Sequence, residues 1–193
     1  FPYPEAKAYI ILTFDGRKEE VWSNILRVKD IVLKKQALDF MILDDKKLLE
    51  DVWKLRGALV KAVESDSEQE PVDIVVPINK TADFIEFINK LDKESGMQMV
   101  SFGHAGDGNV HLCIIRGNRT QEEWEEEKNK NLSIIYHEAY RLGGLTSGEH
   151  GIGLSKKKYF LEETEALNVQ LMRGIKEVFD EKKILNSHIS YNL

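Results

Sequence analysis

The spacing of apolar residues changes several times along the 193-residue chain, and each change predicts an element. Residues 8–14 (AYIILTF) and 38–43 (LDFMIL) are short apolar runs bounded by turn-forming or acidic residues, which is typical of strands. Between them, residues 18–35 repeat apolar positions three or four apart, which predicts a helix. A second helix follows, with Asp44 or Asp45 as its cap, and the polar segment 65–70 (SDSEQE) predicts a flexible loop.

The remaining two thirds of the chain alternate between strand and helix patterns. They predict strands at 72–76, 97–102 and 110–115, a helix beginning near Thr81, and helices at 121–142 and 164–180. The last helix is expected to bury its apolar row, namely Leu167, Leu171, Ile175 and Val178.

These elements predict an α+β fold, because the strands are too few and too short for a doubly wound parallel sheet. Strand–helix–strand units that include a hairpin favour a ferredoxin-like antiparallel sheet with helices packed on it. Two such units in tandem, followed by C-terminal helices, account for the chain length, although no sequence repeat marks a duplication.

Composition excludes some classes of partner. A net charge of -6 and a pI near 5.5 argue against a general affinity for nucleic acid or anionic membranes. No apolar run approaches the roughly 20 residues of a transmembrane helix. A single cysteine, Cys113, excludes an intrachain disulfide and predicts a cytoplasmic protein. The opening Phe-Pro-Tyr-Pro, with neither Met nor a targeting pattern, predicts a piece of a longer protein.

The segment 103–111 (GHAGDGNVH) concentrates residues that could carry chemistry. His104 and His111 flank a glycine-rich turn between two strands, so both imidazoles can reach one ion. Asp107 and Asn109 suit the tight turn itself, or hydrogen bonds that orient an imidazole.

A second glycine-rich segment, 148–153 (GEHGIG), supplies a carboxylate and another imidazole through Glu149 and His150. Two histidines and one carboxylate leave coordination positions open for water or substrate, which is typical of a catalytic metal site. Zinc, iron and manganese all suit this donor set. The segment lacks the G-x-G-x-x-G order of a dinucleotide-binding turn.

Other reactive side chains favour plain structural interpretations. Cys113 has apolar neighbours and is expected to be a core thiol. The lysines at 156–158 are expected to form a solvated face, and His137 and His188 are expected to be exposed.

Taken together, GHAGDGN-x-H and SGEHGIG resemble the C-terminal cap domain of FAD-linked oxidases of the vanillyl-alcohol-oxidase type. The similarity is greatest to the glycolate oxidase large subunit and D-lactate dehydrogenase branch. It extends from WKLR around Arg56, through VDIVVP at 72–77, to FDEKKILN at 179–186.

The resemblance implies that residues 1–193 form a substrate-binding cap facing the flavin of a separate, preceding FAD domain. It implies oxidation of a small 2-hydroxy acid, D-lactate or glycolate, with an electron-transfer subunit as a further partner. It assigns a divalent metal to His104, His111 and Glu149, proton abstraction to His150, and the substrate carboxylate to Arg56.

Some positions depart from the family pattern. Val60, Pro71 and Cys113 stand where the more distant 2-hydroxyglutarate branch has polar residues, which argues against a dicarboxylate substrate. Asn186-Ser187-His188 replaces the family's NPGK tail, so the contact made by that lysine is expected to be absent.

Two other interpretations remain open from the residues. One is a free-standing metallohydrolase in which His150 or Asp107 activates a metal-bound water. The other is a non-catalytic binding module whose glycine motifs only shape the fold.

Overall fold

A computed structural model describes Ala6 and residues 8–187, so the prediction for His188 lies outside the described residues. The chain divides into two compact units, Phe1–Ala58 and Leu59–Leu193. The boundary falls inside one helix, and each unit is described by itself.

The first unit contains helix α1 (Lys18–Lys34) and the first part of helix α2 (Lys46–Asp66). The carboxylate of Asp45 accepts a hydrogen bond from the Leu48 N–H at 2.8 Å, the usual cap of a helix N-terminus. The predicted strands at 8–14 and 38–43 are wrong, since both segments are irregular. A strand must pair its N–H and C=O groups with a neighbouring strand. The described part of this unit contains no strand that could serve as that neighbour.

The second unit is built on a three-stranded antiparallel sheet of order β1–β3–β2. The strands are β1 (Gln69–Val75), β2 (Met99–His104) and β3 (Asn109–Ile115). The predicted loop at 65–70 is wrong, because α2 continues to Asp66 and β1 begins three residues later.

Four further α-helices lie in the described part of this unit, together with a 3-10 turn at Ile78–Lys80: α3 (Thr81–Ser95), α4 (Gln121–Arg141), α5 (Lys157–Glu163) and α6 (Ala166–Phe179). The α+β class is therefore confirmed. The ferredoxin-like arrangement and its tandem duplication are not confirmed, since the described residues contain one sheet of three strands. No helix among them combines the length and the apolar character that crossing a membrane requires.

The two faces of the sheet differ in character, because side chains alternate along each strand. One face is apolar and packs against α3 and α4, with a core that includes Val72, Ile74, Val110, Leu112, Ile114, Phe84, Ile88, Trp124 and Ile135. The opposite face carries polar side chains. Asp73 pairs with His111 in register, Phe102 also pairs with His111, and His104 pairs with Asn109.

The second glycine motif is tied to this sheet by a short bridge. Val75 and Leu145 exchange backbone hydrogen bonds, at 2.9 and 3.4 Å, immediately after α4 ends. A Cβ atom on Gly144 would lie 2.3 Å from the Val75 carbonyl oxygen, so only glycine permits this approach. The bridge therefore brings the segment that follows it to the polar end of β1.

The last two helices differ from expectation. Leu167, Leu171, Ile175 and Val178 were expected to be buried, but they are 58–79% exposed, whereas Val169 on the other side of α6 is buried. The helical period was correct, but packing decides which face is covered. Helix α5 was not predicted, and it buries Tyr159 and Phe160.

Candidate metal and proton-transfer site

The β2–β3 hairpin holds the first pair of histidines. In its turn the Asp107 N–H donates to the His104 carbonyl at 3.2 Å, and the Asp107 carboxylate accepts from the Asn109 N–H at 3.0 Å. Asp107 therefore stabilises the turn that sets His104 opposite the start of β3.

Gly108 allows the turn to lie directly against the end of β1. Its φ is +79°, and a Cβ atom there would lie 1.9 Å from the Val76 carbonyl oxygen. Its own carbonyl accepts a hydrogen bond from the Val76 N–H at 3.0 Å. Close backbone contact and a left-handed conformation both require glycine here.

We expect Gly108→Ala to lower the free energy of unfolding by about 2–5 kcal/mol, from backbone strain and the clash with Val76. Gly106 is a matched control in the same turn, because its added Cβ meets no atom within 4 Å. Gly106→Ala should stay within about 1 kcal/mol of wild type. Urea denaturation measures both, and equal losses would contradict the proposed difference.

Asp73 organises the second glycine motif. Its Oδ2 accepts hydrogen bonds from the Ser147 hydroxyl at 2.7 Å and from three successive backbone N–H groups, those of Gly148, Glu149 and His150, at 2.9–3.1 Å. Consecutive N–H groups that converge on one anion form a backbone nest. The loop at 148–150 therefore takes its conformation from hydrogen bonds to a carboxylate of β1.

Lys156 balances the charge of this buried carboxylate. Its ammonium lies 3.2 Å from Asp73 Oδ2 and also donates to the Asp73 carbonyl. The solvated face predicted for 156–158 is therefore wrong at its first residue, because Lys156 is buried. Burial by itself raises the pKa of Asp73, but the Ser147 and His150 hydrogen bonds and the Lys156 charge more than offset this, so its pKa lies below the usual range.

Neither Asp73 nor Lys156 was identified from the sequence. The available signal was a lone acidic residue inside the apolar run VDIVV, which implies a buried charge in need of partners. Its partners lie more than seventy positions away, so only the fold reveals them.

Glu149 lies between the two hairpin histidines. Its Oε1 is 3.3 Å from His111 Nε2 and 4.0 Å from His104 Nε2. One ligand atom from each of the three residues lies within 4.8 Å of the other two. Residues from β2, β3 and the loop after α4 thus converge on one point.

This donor set fits a divalent metal ion. Two ligands about 2.1 Å from one zinc ion lie roughly 3.4 Å apart in a tetrahedral site, close to the observed His111–Glu149 separation. Burial, with the neighbouring His150 and His104, lowers the pKa of His111 and outweighs the opposite effect of Asp73 and Glu149, which favours the neutral imidazole that a metal requires.

A second group of ligand atoms also clusters, that of Asp73, His111 and His150. It fits a metal less well, because Asp73 Oδ2 already accepts several hydrogen bonds and an ion pair. Glu149 is half exposed and faces both imidazoles, so it is the better carboxylate ligand.

His150 lies at the open side of this cluster. Its ring stacks on that of His111, with centroids 5.2 Å apart, and its Nε2 is 3.7 Å from Glu149 Oε1. More than half of its side chain is exposed. It is therefore an accessible imidazole beside the candidate metal ligands, where a proton acceptor can meet a substrate.

Asn109 joins the two glycine motifs. It is buried, and a Cβ atom on Gly148 would lie 2.6 Å from its side-chain amide, so the second motif needs glycine at this contact. Its Oδ1 is buried without a hydrogen-bond partner among the described residues. The side chain thus acts as a spacer that sets the separation of hairpin and loop.

The remaining sequence candidates lie elsewhere. Arg56 is exposed on α2 within the first unit, so its role stays a prediction. Cys113 is buried two residues beyond His111 on the same sheet face, and burial raises its pKa, as expected of a core thiol. His137 is exposed on α4, as expected, and it contacts Glu163.

Comparison with known proteins decides the family. The family model for FAD-linked oxidases, C-terminal domain, matches residues 1–189. The chain belongs to this family. The branch expected from the two glycine motifs is confirmed by the relatives.

The relatives include oxidoreductases with assigned substrates. The chain is 38% identical over 192 residues to a D-lactate dehydrogenase of Anaerostipes hadrus, an alignment that covers 98% of this chain and 40% of that protein. It is 33% identical over 182 residues to a D-lactate dehydrogenase of Archaeoglobus fulgidus, covering 94% and 39%. It is 28% identical over 185 residues to the glycolate oxidase subunit GlcD of Bacillus subtilis, covering 94% and 38%. The chain thus spans about two fifths of the length of these relatives.

Proposed function

We propose that this chain is the substrate- and metal-binding cap of an FAD-dependent enzyme that oxidises a small 2-hydroxy acid to the 2-oxo acid. The observation that carries the proposal is the convergence of His104, His111 and Glu149, with the accessible His150 beside them. Family membership favours this function over a free-standing metallohydrolase or a non-catalytic module.

In this proposal His104, His111 and Glu149 hold a divalent cation. When bound, such an ion supplies electrostatic stabilisation for a hydroxyl that loses its proton, as it does for bound water. With three protein ligands, such an ion would keep coordination positions free for a substrate. Glu149 Oε1 faces both imidazoles, so the three ligands can act together without a large rearrangement.

His150 takes the hydroxyl proton. Oxidation of a 2-hydroxy acid removes a hydride from C2, for which FAD supplies the acceptor, and a proton from the hydroxyl, which a base must accept. Histidine is the side chain that most often serves as a general base. The backbone of His150 is fixed by its hydrogen bond to Asp73, whereas its ring remains exposed to an incoming substrate.

The backbone nest in this loop does not bind the substrate carboxylate, because the carboxylate of Asp73 already fills it. Arg56 is the residue proposed for the substrate carboxylate, as the resemblance to the family implies. A guanidinium donates two parallel hydrogen bonds to a carboxylate, which suits this role.

Arg56→Ala is expected to raise KM for the 2-hydroxy acid by about 10- to 100-fold, the usual effect of losing a hydrogen bond to a charged group. The expected change in kcat is smaller, because the arginine binds substrate before and during the reaction. Steady-state kinetics of the intact flavoprotein measure both. Arg27→Ala, at an exposed arginine on α1, is the control, and an unchanged KM in Arg56→Ala would remove this residue from the site.

The substrate is proposed to be a monocarboxylate such as D-lactate or glycolate. Two of the relatives are D-lactate dehydrogenases and another is a glycolate oxidase subunit. Beyond His111 the same sheet face continues with Pro71 and Cys113, which pair in register and offer no cation to a second carboxylate. FAD is assigned to a separate domain of the intact protein, with an electron-transfer subunit as a further partner.

The direct test is a panel of D- and L-2-hydroxy acids offered to the intact flavoprotein before chelation, after chelation and after metal is restored. We expect flavin reduction by D-lactate or glycolate, loss of reduction after chelation, and recovery with a divalent metal. Full reduction after complete chelation would contradict the metal role. Ester or amide hydrolysis without flavin reduction would favour the hydrolase, and neither activity would favour a binding module.

A further inference from the structure

The carboxylate of Asp73 serves two parts of the proposed metal site at once. Its Oδ2 accepts from the loop that carries Glu149, as described above. Its Oδ1 also accepts from the Glu149 N–H, at 3.3 Å, and lies 3.7 Å from His111 Nδ1. One buried side chain therefore contacts the backbone of the proposed ligand Glu149 and the ring of the proposed ligand His111.

The orientation of His111 follows from this contact. Its Nδ1 lies toward Asp73 Oδ1, and its Nε2 lies 3.3 Å from Glu149 Oε1. A carboxylate beside one imidazole nitrogen favours the tautomer that carries the proton on that nitrogen. The lone pair of the other nitrogen is then available at the candidate metal position.

Asp73 is well suited to hold such a position. Its side chain has no exposed surface, and it pairs with His111 in the antiparallel register of β1 and β3. Interactions with a fully buried carboxylate are not weakened by competing water. Burial would be unfavourable without partners, and the loop N–H groups and Lys156 supply them.

Lys156 also adjusts the charge of the site. Among the side chains Asp73, Lys156 and Glu149, the charge of the lysine cancels that of the aspartate, and Glu149 leaves one negative charge. A divalent cation would change this to one positive charge, which favours binding of an anionic 2-hydroxy acid.

We propose that Asp73 is a positioning residue, which fixes the Nδ1–H tautomer of His111 and the backbone of Glu149 and thereby pre-forms the metal site. The inference rests on the proposed function for its metal but concerns a residue that binds neither metal nor substrate. Hydrogen-bond partners behind metal ligands usually change metal affinity by about 10- to 100-fold.

The test compares Zn²⁺ binding and histidine tautomers in Asp73→Asn and a matched control. Asp180 is also a buried carboxylate that accepts two backbone N–H groups, from Ile184 and Leu185, and pairs with a lysine, Lys176. Asp180→Asn therefore reproduces the chemical change at a residue outside the candidate ligand groups. Equilibrium dialysis of the metal-stripped intact protein gives the Zn²⁺ affinity, and ¹⁵N NMR of histidine-labelled protein gives the His111 tautomer.

In Asp73→Asn we expect Zn²⁺ affinity to fall about 10- to 100-fold and the His111 proton to move to Nε2. The new amide would turn its oxygen toward the loop N–H groups, which leaves its NH₂ group facing Nδ1. Asp180→Asn should change neither readout. Wild-type Zn²⁺ affinity in folded Asp73→Asn, or an unchanged tautomer, would overturn the inference.

If Asp73→Asn does not fold, Ser147→Ala provides the second variant, because it removes one of the hydrogen bonds to Asp73 Oδ2 and leaves the Asp73 carboxylate itself in place. It also removes the hydroxyl that accepts from the Gly151 N–H and the Lys156 ammonium, so the His111 tautomer is measured in this variant as well. Its Zn²⁺ affinity should fall about two- to tenfold, and wild-type affinity would overturn the inference. If the wild-type protein itself binds no Zn²⁺, the proposed metal function fails. The tautomer of His111 in wild type and in the variant then decides the role of Asp73 separately.

Discussion

Replacing His150 with glutamine in the intact flavoprotein is expected to lower kcat/KM for the 2-hydroxy acid by about 10²–10⁴-fold, the usual contribution of a general base. The metal content and flavin content should stay at wild-type values, because His150 is outside the proposed ligand set. Stopped-flow flavin reduction under single-turnover conditions measures the proton-transfer step without later steps.

The matched control for this variant is His137→Gln, which changes an exposed histidine on α4 that contacts Glu163. Its kinetics should equal those of wild type. Full turnover in His150→Gln would remove His150 from the role of base. Loss of metal together with activity would instead make it a ligand, through the alternative group of Asp73, His111 and His150.

The second large effect is on stability. Asp73→Ala is expected to lower the free energy of unfolding by about 3–5 kcal/mol near pH 7, because it leaves Lys156 as a buried charge without its partner. It also leaves the N–H groups of Gly148, Glu149 and His150 without their acceptor. Urea denaturation monitored by tryptophan fluorescence measures the difference.

This effect should depend on pH in one direction. The pKa of Asp73 is lowered in the folded protein, so its contribution is complete above the unfolded value of about 3.9. It is lost as pH falls below that value toward the folded pKa. The gap between wild type and Asp73→Ala should therefore be constant from about pH 8 to pH 5 and become smaller below about pH 4. A gap that stays constant down to about pH 3 would contradict an ionised Asp73.

Local patterns in the sequence predicted the elements of the second unit well. The strands at 72–76 and 110–115 and the helix at 121–142 correspond to β1, β3 and α4 within a few residues. Each has a clear apolar period and a residue pattern that marks one of its ends, such as the Thr120–Glu123 capping box at the N-terminus of α4.

Apolar runs whose structure depends on a partner were predicted poorly. Residues 8–14 have the composition of a strand, but composition cannot supply a neighbouring strand for their backbone groups. Likewise the period of α6 predicted a helix, but not that Val169 rather than Leu171 would be buried. Both outcomes depend on tertiary contacts.

The residues of the candidate site also differ in whether local sequence or only the fold reveals them. The two glycine-rich segments predicted four site residues, and the fold brings all four together: His104, His111, Glu149 and His150. Each glycine-rich turn carries its reactive residues within a few consecutive positions, so the sequence alone was enough to identify them. Asp73 was missed because its role is created by distant residues that converge on it.

His104, His111 and Glu149 are proposed to hold one divalent cation, and the other roles in the site depend on it. The most direct measurement is the metal content of the purified and dialysed intact protein, compared with His104→Ala and the surface control His137→Ala. We predict about one divalent ion per chain in wild type and in His137→Ala, and a large loss in His104→Ala. Wild-type protein without bound metal, or His104→Ala with its full complement, would contradict the claim.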